Sequence, residues 1–141
     1  YCIDSTNDDI RYQRNKIRHR VIPELESINP NVVDAIARLG GSVSEDLAVI
    51  SDLTVQAFKR LVTIDKGEMR LSRRALRKEP LAIQRRLWQR LVSSIDSDIT
   101  LTTAHQEQLL DIVNTGEAKT FTIKSIKVIA QCDTIKVYCK H

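Results

Sequence analysis

Five cations near the start of the chain are the first residues whose type and spacing could do chemistry: Arg11, Arg14, Lys16, Arg18 and Arg20. On a helix, Arg14 and Arg18 would be four residues apart and would project from one face, with Arg11 one turn earlier. Such a face could hold a phosphate or an acidic active-site group. Alternatively, these arginines pair with Asp4, Asp8 or Asp9 in exposed ion pairs that contribute little to stability.

A second basic group lies between Arg73 and Arg90, where Glu79 is the one acid. Guanidinium groups match the geometry of phosphate oxygens, so two arginine-rich groups indicate a polyanionic partner such as RNA. The other interpretation is a solvated helix face with no partner. The cations of this group are Arg73, Arg74, Arg77, Lys78, Arg85, Arg86 and Arg90.

The sequence contains no complete catalytic motif. It has no GxxxxGK[ST] phosphate loop, no GxGxxG, no HExxH and no GxSxG. The histidines His19, His105 and His141 lie far apart and lack an acid at metal-ligand spacing, so no metal site and no catalytic residue are expected in this chain. The cysteines lack CxxC spacing, which favours reduced thiols in a cytosolic compartment. They are Cys2, Cys132 and Cys139.

Length and composition predict one compact soluble domain, or one such domain plus a fragment of another. The 141 residues are about one domain's worth of chain, and 42% of them are hydrophobic. No apolar run is long enough to span a bilayer and no signal segment is present, so a cytoplasmic protein with no membrane partner is expected. Because the chain begins at Tyr1 in a turn-like segment, we expect it to be a piece of a longer protein.

Helix signals begin with Asn7, a good N-cap, and predict a helix from about Asp8 to about Arg20. Pro23 then predicts a break or kink. From Val32 to Ala57 apolar residues recur every three or four positions, which predicts one long helix with a buried stripe. Gly40-Gly41 interrupts this stripe at a kink or a close helix contact, and a continuous, bent helix is favoured. The stripe consists of Val32, Ile36, Leu39, Val43, Leu47, Ile50, Leu53 and Ala57.

Further helices are predicted after a connection at Thr63 to Gly67. Ser72 is expected to cap a helix from Arg73 to Lys78, and Pro80 fits the first turn of the next. A helix capped by Thr103 should run through Val113 and stop at Gly116. The helix after Pro80 should bury Leu81, Gln84, Leu87, Trp88, Leu91, Val92 and Ile95.

After Gly116 the apolar period changes to alternation, which predicts strands at Phe121 to Ile123 and at Ile135 to Cys139. The fold class is therefore mainly α (α+β), a bundle-like helical domain with a small C-terminal antiparallel β segment. These strands pair either with each other or with parts outside the chain, and exposure of Phe121 and Ile135 would favour the latter.

The opening segment resembles a known family. Asp4-Ser5-Thr6-Asn7, Tyr12, Arg14-Asn15, Ile17-Arg18-His19 and Pro23-x-Leu25 are similar to the junction after the catalytic domain of bacterial tRNA(Ile)-lysidine synthetases, also called MesJ-type cell-cycle proteins. Downstream, Glu79-Pro80-Leu81-Ala82-Ile83-Gln84-Arg85-Arg86-Leu87 is similar to the family's Pro-x-x-x-Gln-Arg-Arg-Leu helix. His105, Leu109-Leu110, Gly116 and the β segment follow in the family's order.

The resemblance implies a tRNA-modifying ligase. Family members use ATP to adenylate the wobble cytidine of an isoleucine tRNA with a CAU anticodon, and lysine then displaces AMP to form lysidine. The resemblance places ATP, Mg and lysine with an N-terminal pyrophosphatase-type domain whose SGGxDS loop is absent here. No cofactor is therefore expected on this chain, which should be inactive alone.

The resemblance also implies roles and boundaries. Residues 1–29 would be the end of the catalytic domain with a connecting helix, and residues 30–141 the helical middle domain that docks tRNA. Phosphate contact or a place at the catalytic-site edge is implied for Asn7, Arg14, Asn15, Arg18 and His19. Contact with the tRNA backbone is the hypothesis for Arg73, Arg74, Arg77, Arg85, Arg86 and Arg90.

Two other functions stay open. One is an independent helical RNA-binding module that belongs to no enzyme. The other is a structural protein whose arginines meet an acidic protein surface. The N-terminal residues, in turn, could merely fasten the catalytic domain to the helical one.

Overall fold

The computed structural model describes residues 13–140, and the chain forms two compact units, residues 1–47 and 48–141. The predicted N-cap Asn7 and the predicted helix start at Asp8 lie outside the described residues. The division by family domains at residues 29 and 30 stays a prediction.

The first unit begins with a helix that changes its geometry before Pro23. Helix α1 (Gln13–Lys16) leads into a π-helical turn (Ile17–Val21) and then into α2 (Ile22–Ile28). Pro23 has no backbone N–H to donate and occupies the first turn of α2, directly after the π-helical turn. The Ile22 N–H donates to the Ile17 carbonyl, five residues back. The interruption predicted at Pro23 therefore takes the form of a wider helical turn and not of a chain break.

Helix α3 (Val32–Leu61) is continuous through Gly40-Gly41, as predicted. A Cβ added at either glycine would meet nothing within 4 Å, so among the described residues these glycines make no close helix contact. The prediction of a buried stripe was wrong for the first half of α3. Leu39 is 64% exposed and Leu47 is 46% exposed, whereas Ala57 near the helix end is buried. Among the described residues, only the last turns of α3 meet a hydrophobic core.

The second unit contains one five-stranded antiparallel sheet in the order β1-β2-β5-β4-β3. The strands are β1 (Val62–Asp65), β2 (Glu68–Ser72), β3 (Lys119–Ile123), β4 (Ile126–Gln131) and β5 (Thr134–Cys139). The connection predicted at Thr63 to Gly67 was wrong, because these residues form β1 and the turn of a hairpin. Its turn residues Lys66 and Gly67 both have positive φ, as tight two-residue hairpins require.

Three helices complete the second unit: α4 (Arg73–Arg77), α5 (Leu81–Ile95) and α6 (Thr103–Thr115). The Ser72 side chain caps α4 by accepting from the Ala75 N–H, as predicted. The cap of α6 is Thr102 and not Thr103, because His105 three residues later completes a capping box with Thr102. Gly116 ends α6 in the left-handed region with φ 75°, as predicted.

The hydrophobic core lies between one face of the sheet and α5 and α6. Trp88, Leu87 and Leu91 of α5 are fully buried there, which confirms the predicted inward face at these positions. Leu81 was predicted inward but is 48% exposed, since it lies at the first position of α5. Phe121 is 8% exposed and Ile135 is fully buried, and their strands pair within this sheet.

Candidate nucleic-acid interface

The first unit holds the predicted phosphate-contacting residues that the structure describes. Arg14 and Asn15 lie in α1, Arg18 and His19 lie in the π-helical turn, and Asn7 lies outside the described residues. Arg14, Arg18 and His19 are exposed and Asn15 is half-buried. Because Arg18 follows the change to π geometry, the four-residue spacing from Arg14 does not equal one α-helical turn.

Arg73 was predicted to contact tRNA, but its side chain is buried, with 3% of the residue exposed. Its Nη2 donates to the Glu117 carbonyl at 2.6 Å, and its backbone N–H donates to the Asp133 carbonyl at 2.6 Å. Its Nε and Nη1 are buried and have no hydrogen-bond partner among the described residues. Burial leaves this guanidinium little surface to offer to a phosphate, and contact of Arg73 with tRNA stays a prediction.

Arg77 is exposed, yet its guanidinium is used within the protein. Nε and Nη2 donate to the Val113 carbonyl at 3.1 and 2.7 Å, and Nη2 also donates to the Asn114 carbonyl at 2.6 Å. These carbonyls belong to the last turn of α6, where intrahelical partners run out. Arg77 therefore caps the C-terminal end of α6.

The remaining predicted arginines lie nearer to solvent. Arg74 and Arg85 are exposed. Arg86 is half-buried and its Nη1 donates to the Ala82 carbonyl at 3.2 Å. The Cζ of Arg90 lies 5.3 Å from the centre of the Phe58 ring, within cation-π range. Arg74 and Arg85 have the guanidinium groups most available to an anion.

Three of these arginines border one open cavity of about 310 Å³. Asp133 lies in the same lining and is held by two hydrogen bonds. Its carboxylate accepts from the Ser72 hydroxyl and from the Arg74 backbone N–H, both at 2.7 Å. These bonds, the Ser72 bond first, hold the pKa of Asp133 below its usual value of 3.8. The residues that line the cavity are Arg73, Arg74, Arg77, Gly116, Cys132 and Asp133.

The Gln-Arg-Arg-Leu motif of the family resemblance has a structural role at two of its four positions. Gln84 is buried, and its Nε2 donates to the Glu79 carbonyl at 2.8 Å, which fixes the connection between α4 and α5. Leu87 lies in the core with no exposed surface. The two arginines between them stay on the outer side of α5, where they were predicted.

His105 contributes to the N-terminal cap of α6 and packs against β3. Its Nδ1 accepts from the Thr102 N–H at 3.3 Å, and its ring meets the Phe121 ring edge-on with centroids 5.9 Å apart. Across residues 13–140, no three side chains of the metal-ligating types come together. No reaction step is assigned to a metal on the described residues. None of the helices within residues 13–140 contains an apolar stretch that could span a lipid bilayer.

A basic surface on the sheet was not predicted. Arg70, Lys127 and Lys136 lie on the side of the sheet away from the core, and Glu68 lies beside Arg70 and Lys136. The Glu68 Oε1 accepts from the Arg70 Nε and lies 3.7 Å from the Lys136 Nζ. The Arg70 hydrogen bond is the main reason why the pKa of Glu68 lies below its usual value of 4.5. The alternation of Lys136, Tyr138 and Lys140 with apolar residues was the sequence signal for this surface.

Similarity to known proteins covers part of the chain. The chain is 32% identical over 97 residues to the tRNA(Ile)-lysidine synthase of Geobacter sulfurreducens. The matched residues make up 68% of this chain and 21% of that protein. The chain is 32% identical over 108 residues to the Nostoc enzyme of the same name, covering 67% of this chain and 32% of the relative. A Thermotoga enzyme of that name is 47% identical over 58 residues, which is 41% of this chain and 14% of the relative.

No protein-family model matches the chain. The chain spans between about a seventh and a third of the length of these three curated relatives. All three carry the same name, and it is the family that the opening motif and the Gln-Arg-Arg-Leu segment predicted. Over the region of these matches, the chain therefore belongs to the tRNA(Ile)-lysidine synthase family.

Proposed function

We propose that this chain is the tRNA-docking part of a tRNA(Ile)-lysidine synthase in the bacterial cytoplasm. The whole enzyme would use ATP to adenylate the wobble cytidine of a tRNA(Ile) with a CAU anticodon, and lysine would replace AMP. ATP, lysine and Mg would be bound by the catalytic domain and not by this chain. The observation that carries the proposal is the shared similarity to synthases of this one name.

The exposed arginines support docking by charge. Arg74 and Arg85 present guanidinium groups to solvent, with Arg86 and Arg90 nearby in sequence on α5. Such groups bind phosphate oxygens, and each contact releases counterions, so affinity falls as salt rises. Arg73 and Arg77 would act indirectly, since their bonds to Glu117 and Val113 hold α4 in place.

The test is binding of a tRNA(Ile) transcript with a CAU anticodon to the 141-residue chain at several salt concentrations. The double variant Arg74→Glu/Arg85→Glu should lower affinity about tenfold or more and reduce the salt slope by about one unit per lost contact. Each of the two single variants is compared with Arg38→Glu, an equal charge change at an exposed position of α3. Affinity that is insensitive to salt, or that the double variant leaves unchanged, would contradict docking through these arginines.

Competition separates the alternatives. Binding of tRNA that survives excess duplex DNA supports a part of the enzyme, whereas equal competition by DNA supports an independent nucleic-acid-binding module. Absence of affinity for either nucleic acid supports the acidic protein partner.

For the first unit, we propose that Arg14 or Arg18 contacts a phosphate of ATP or of the tRNA in the whole enzyme, with Asn7, Asn15 and His19 at the same edge of the catalytic site. A cation there would stabilise charge that develops on phosphate oxygens during adenylation. Arg14→Ala and Arg18→Ala, each in the protein that carries the catalytic domain, should slow lysidine formation. Unchanged lysidine formation in both variants would contradict phosphate contact. It would leave the alternative that these residues only fasten the catalytic domain to the helical domain.

A further inference from the structure

One face of the sheet in residues 48–140 is open, and its side chains differ from those that face the core. Residues that alternate with the buried positions form this open face, and two of its cations remain well exposed. The side chains of Arg70 and Lys136 keep 46% and 41% of their surface. The open face consists of Thr63, Asp65, Glu68, Arg70, Ser72, Thr120, Thr122, Lys127, Ile129, Gln131, Thr134, Lys136 and Tyr138.

Cations outnumber acids on this face and at the strand ends beside it. Three more lysines lie in the turn between β1 and β2, in the turn between β3 and β4, and after β5. The Lys140 N–H donates to the Ser125 carbonyl at 2.6 Å, so the last two of these sites meet at one end of the sheet. In total, six cations accompany Asp65, Glu68 and Asp133. They are Lys66, Arg70, Lys124, Lys127, Lys136 and Lys140.

The open face includes a broad depression of about 670 Å³. Arg70 and Lys136 border it, Ile129 adds apolar surface, and Thr134 and Gln131 add groups that donate and accept hydrogen bonds. This mixture suits a sugar-phosphate backbone, because the cations pair with phosphates and the polar groups can bond a ribose 2′-hydroxyl.

The depression adjoins the cavity that the α4 arginines border. Cys132 and Asp133, the turn between β4 and β5, line both. An extended ligand could therefore pass from Arg74 across this turn to Arg70 and Lys136 without leaving the surface of the second unit.

Tyr138 adds a group that distinguishes RNA from other anions. It is half-buried on the open face and pairs across the strands with Lys127. Single-stranded RNA is bound by cations that follow the backbone together with aromatic rings on which bases stack. Inorganic phosphate, which has no base, would gain nothing from a tyrosine ring at this position.

We propose that the open face of the sheet binds an unpaired segment of RNA, with Arg70, Lys127 and Lys136 on phosphates and a base stacked on Tyr138. The proposal rests on the proposed function in that it extends the tRNA-docking surface beyond the arginines of α4 and α5. Glu68 limits the affinity of this face, since its carboxylate repels phosphate and engages Arg70 and Lys136.

The test measures binding of the full chain to two probes, the tRNA(Ile) transcript and a single-stranded RNA 10-mer. Lys127→Glu/Lys136→Glu should weaken both about tenfold or more and lower the salt slope by about two units. Each of the two single lysine variants is compared with Lys119→Glu, an equal charge change on β3, where Lys119 pairs with Asp111 of α6 toward the core side of the sheet. Tyr138→Ala should weaken 10-mer binding about five- to hundredfold, and Tyr138→Phe should restore it.

A variant that binds RNA more tightly distinguishes a loss of contacts from a failure to fold. Glu68→Gln removes the acid between Arg70 and Lys136 and should raise RNA affinity severalfold. Misfolding cannot produce this result. Unchanged or weaker binding by Glu68→Gln, together with normal binding by Lys127→Glu/Lys136→Glu, would overturn the proposal.

The remaining outcomes separate this inference from the docking proposal. Loss of tRNA binding only in Arg74→Glu/Arg85→Glu overturns the open face and leaves the docking proposal intact. Binding of the 10-mer that depends on Lys127 and Lys136, without any tRNA binding, supports the open face and overturns tRNA docking. Competition by polyglutamate as effective as that by RNA would assign the face to an acidic protein and overturn the RNA proposal.

Discussion

Arg77 of α4 donates to the carbonyl oxygen of Val113 in α6 through both Nε and Nη2, at 3.1 and 2.7 Å. A cation at the C-terminal end of a helix also interacts favourably with the helix dipole. An arginine that the sequence suggested for RNA binding therefore has a structural function that joins two helices.

Arg77→Ala should lower the free energy of unfolding by about 1–2 kcal/mol, because the bonds of a charged donor to the Val113 and Asn114 carbonyls are lost. Urea unfolding followed by fluorescence of the single tryptophan, Trp88, measures the change. Arg85→Ala removes an exposed arginine on α5 and should change the free energy by less than about 0.5 kcal/mol. Equal effects of the two substitutions would contradict a capping function for Arg77.

Buried polar side chains whose hydrogen-bond partners are distant in the sequence could not be predicted from sequence patterns. Arg73 was assigned to tRNA contact because it lies in an arginine-rich group of the sequence, but the acceptor of its side chain, the Glu117 carbonyl, is 44 residues away along the chain. The helix caps were predicted more closely, since Ser72 and Gly116 act within a few residues of themselves. Local interactions were thus accessible from sequence, and contacts between distant segments were not.

The strands were also predicted only where the local pattern is clear. Phe121 to Ile123 and Ile135 to Cys139 alternate clearly and were predicted, whereas β1 is only four residues long and was assigned to a connection. The dipeptide Lys66-Gly67 was recognised as a turn, but Val62 and Ile64 before it and Met69 and Leu71 after it complete a hairpin pattern. The pairing of this hairpin with β5 brings Arg70 and Lys136 together. Because the hairpin was not predicted, the basic surface of the sheet was not predicted either.

Trp88 should tolerate phenylalanine better than its full burial suggests. Its indole Nε1 is buried without a hydrogen-bond partner among the described residues, and an unsatisfied donor costs free energy that phenylalanine would not. Trp88→Ala should lower the free energy of unfolding by about 3–5 kcal/mol through the cavity it leaves. Trp88→Phe should lower it by less than about 1.5 kcal/mol, because the gain from the lost donor offsets part of the volume loss. Urea unfolding followed by far-UV circular dichroism measures both, and equal losses would contradict a cost at Nε1.

Asp133 should make stability depend on acid pH. Hydrogen bonds from Ser72 and from the Arg74 backbone lower its pKa in the folded protein below the usual 3.8. Its contribution is therefore complete above the unfolded value of about 3.8 and is lost as pH falls through the lower folded value. The stability difference between wild type and Asp133→Asn should be constant from pH 7 to pH 5 and should shrink below pH 4. A difference that stays constant to pH 2.5 in urea titrations would contradict the ionised carboxylate as its source.

Two glycines should respond to alanine in opposite directions. Gly116 has φ 75° at the end of α6, where an L side chain costs about 1–2 kcal/mol, so Gly116→Ala should lower the free energy of unfolding of the second unit.

Gly41 lies within α3 and an added Cβ would meet nothing within 4 Å, so Gly41→Ala should favour the helix by about 1 kcal/mol. Urea unfolding monitored by Trp88 measures the first, and helix content by circular dichroism at rising temperature measures the second. Helix loss in Gly41→Ala would mean that this glycine is required for a bend or a contact, whereas greater helix content would show that α3 is continuous by its own helical preference.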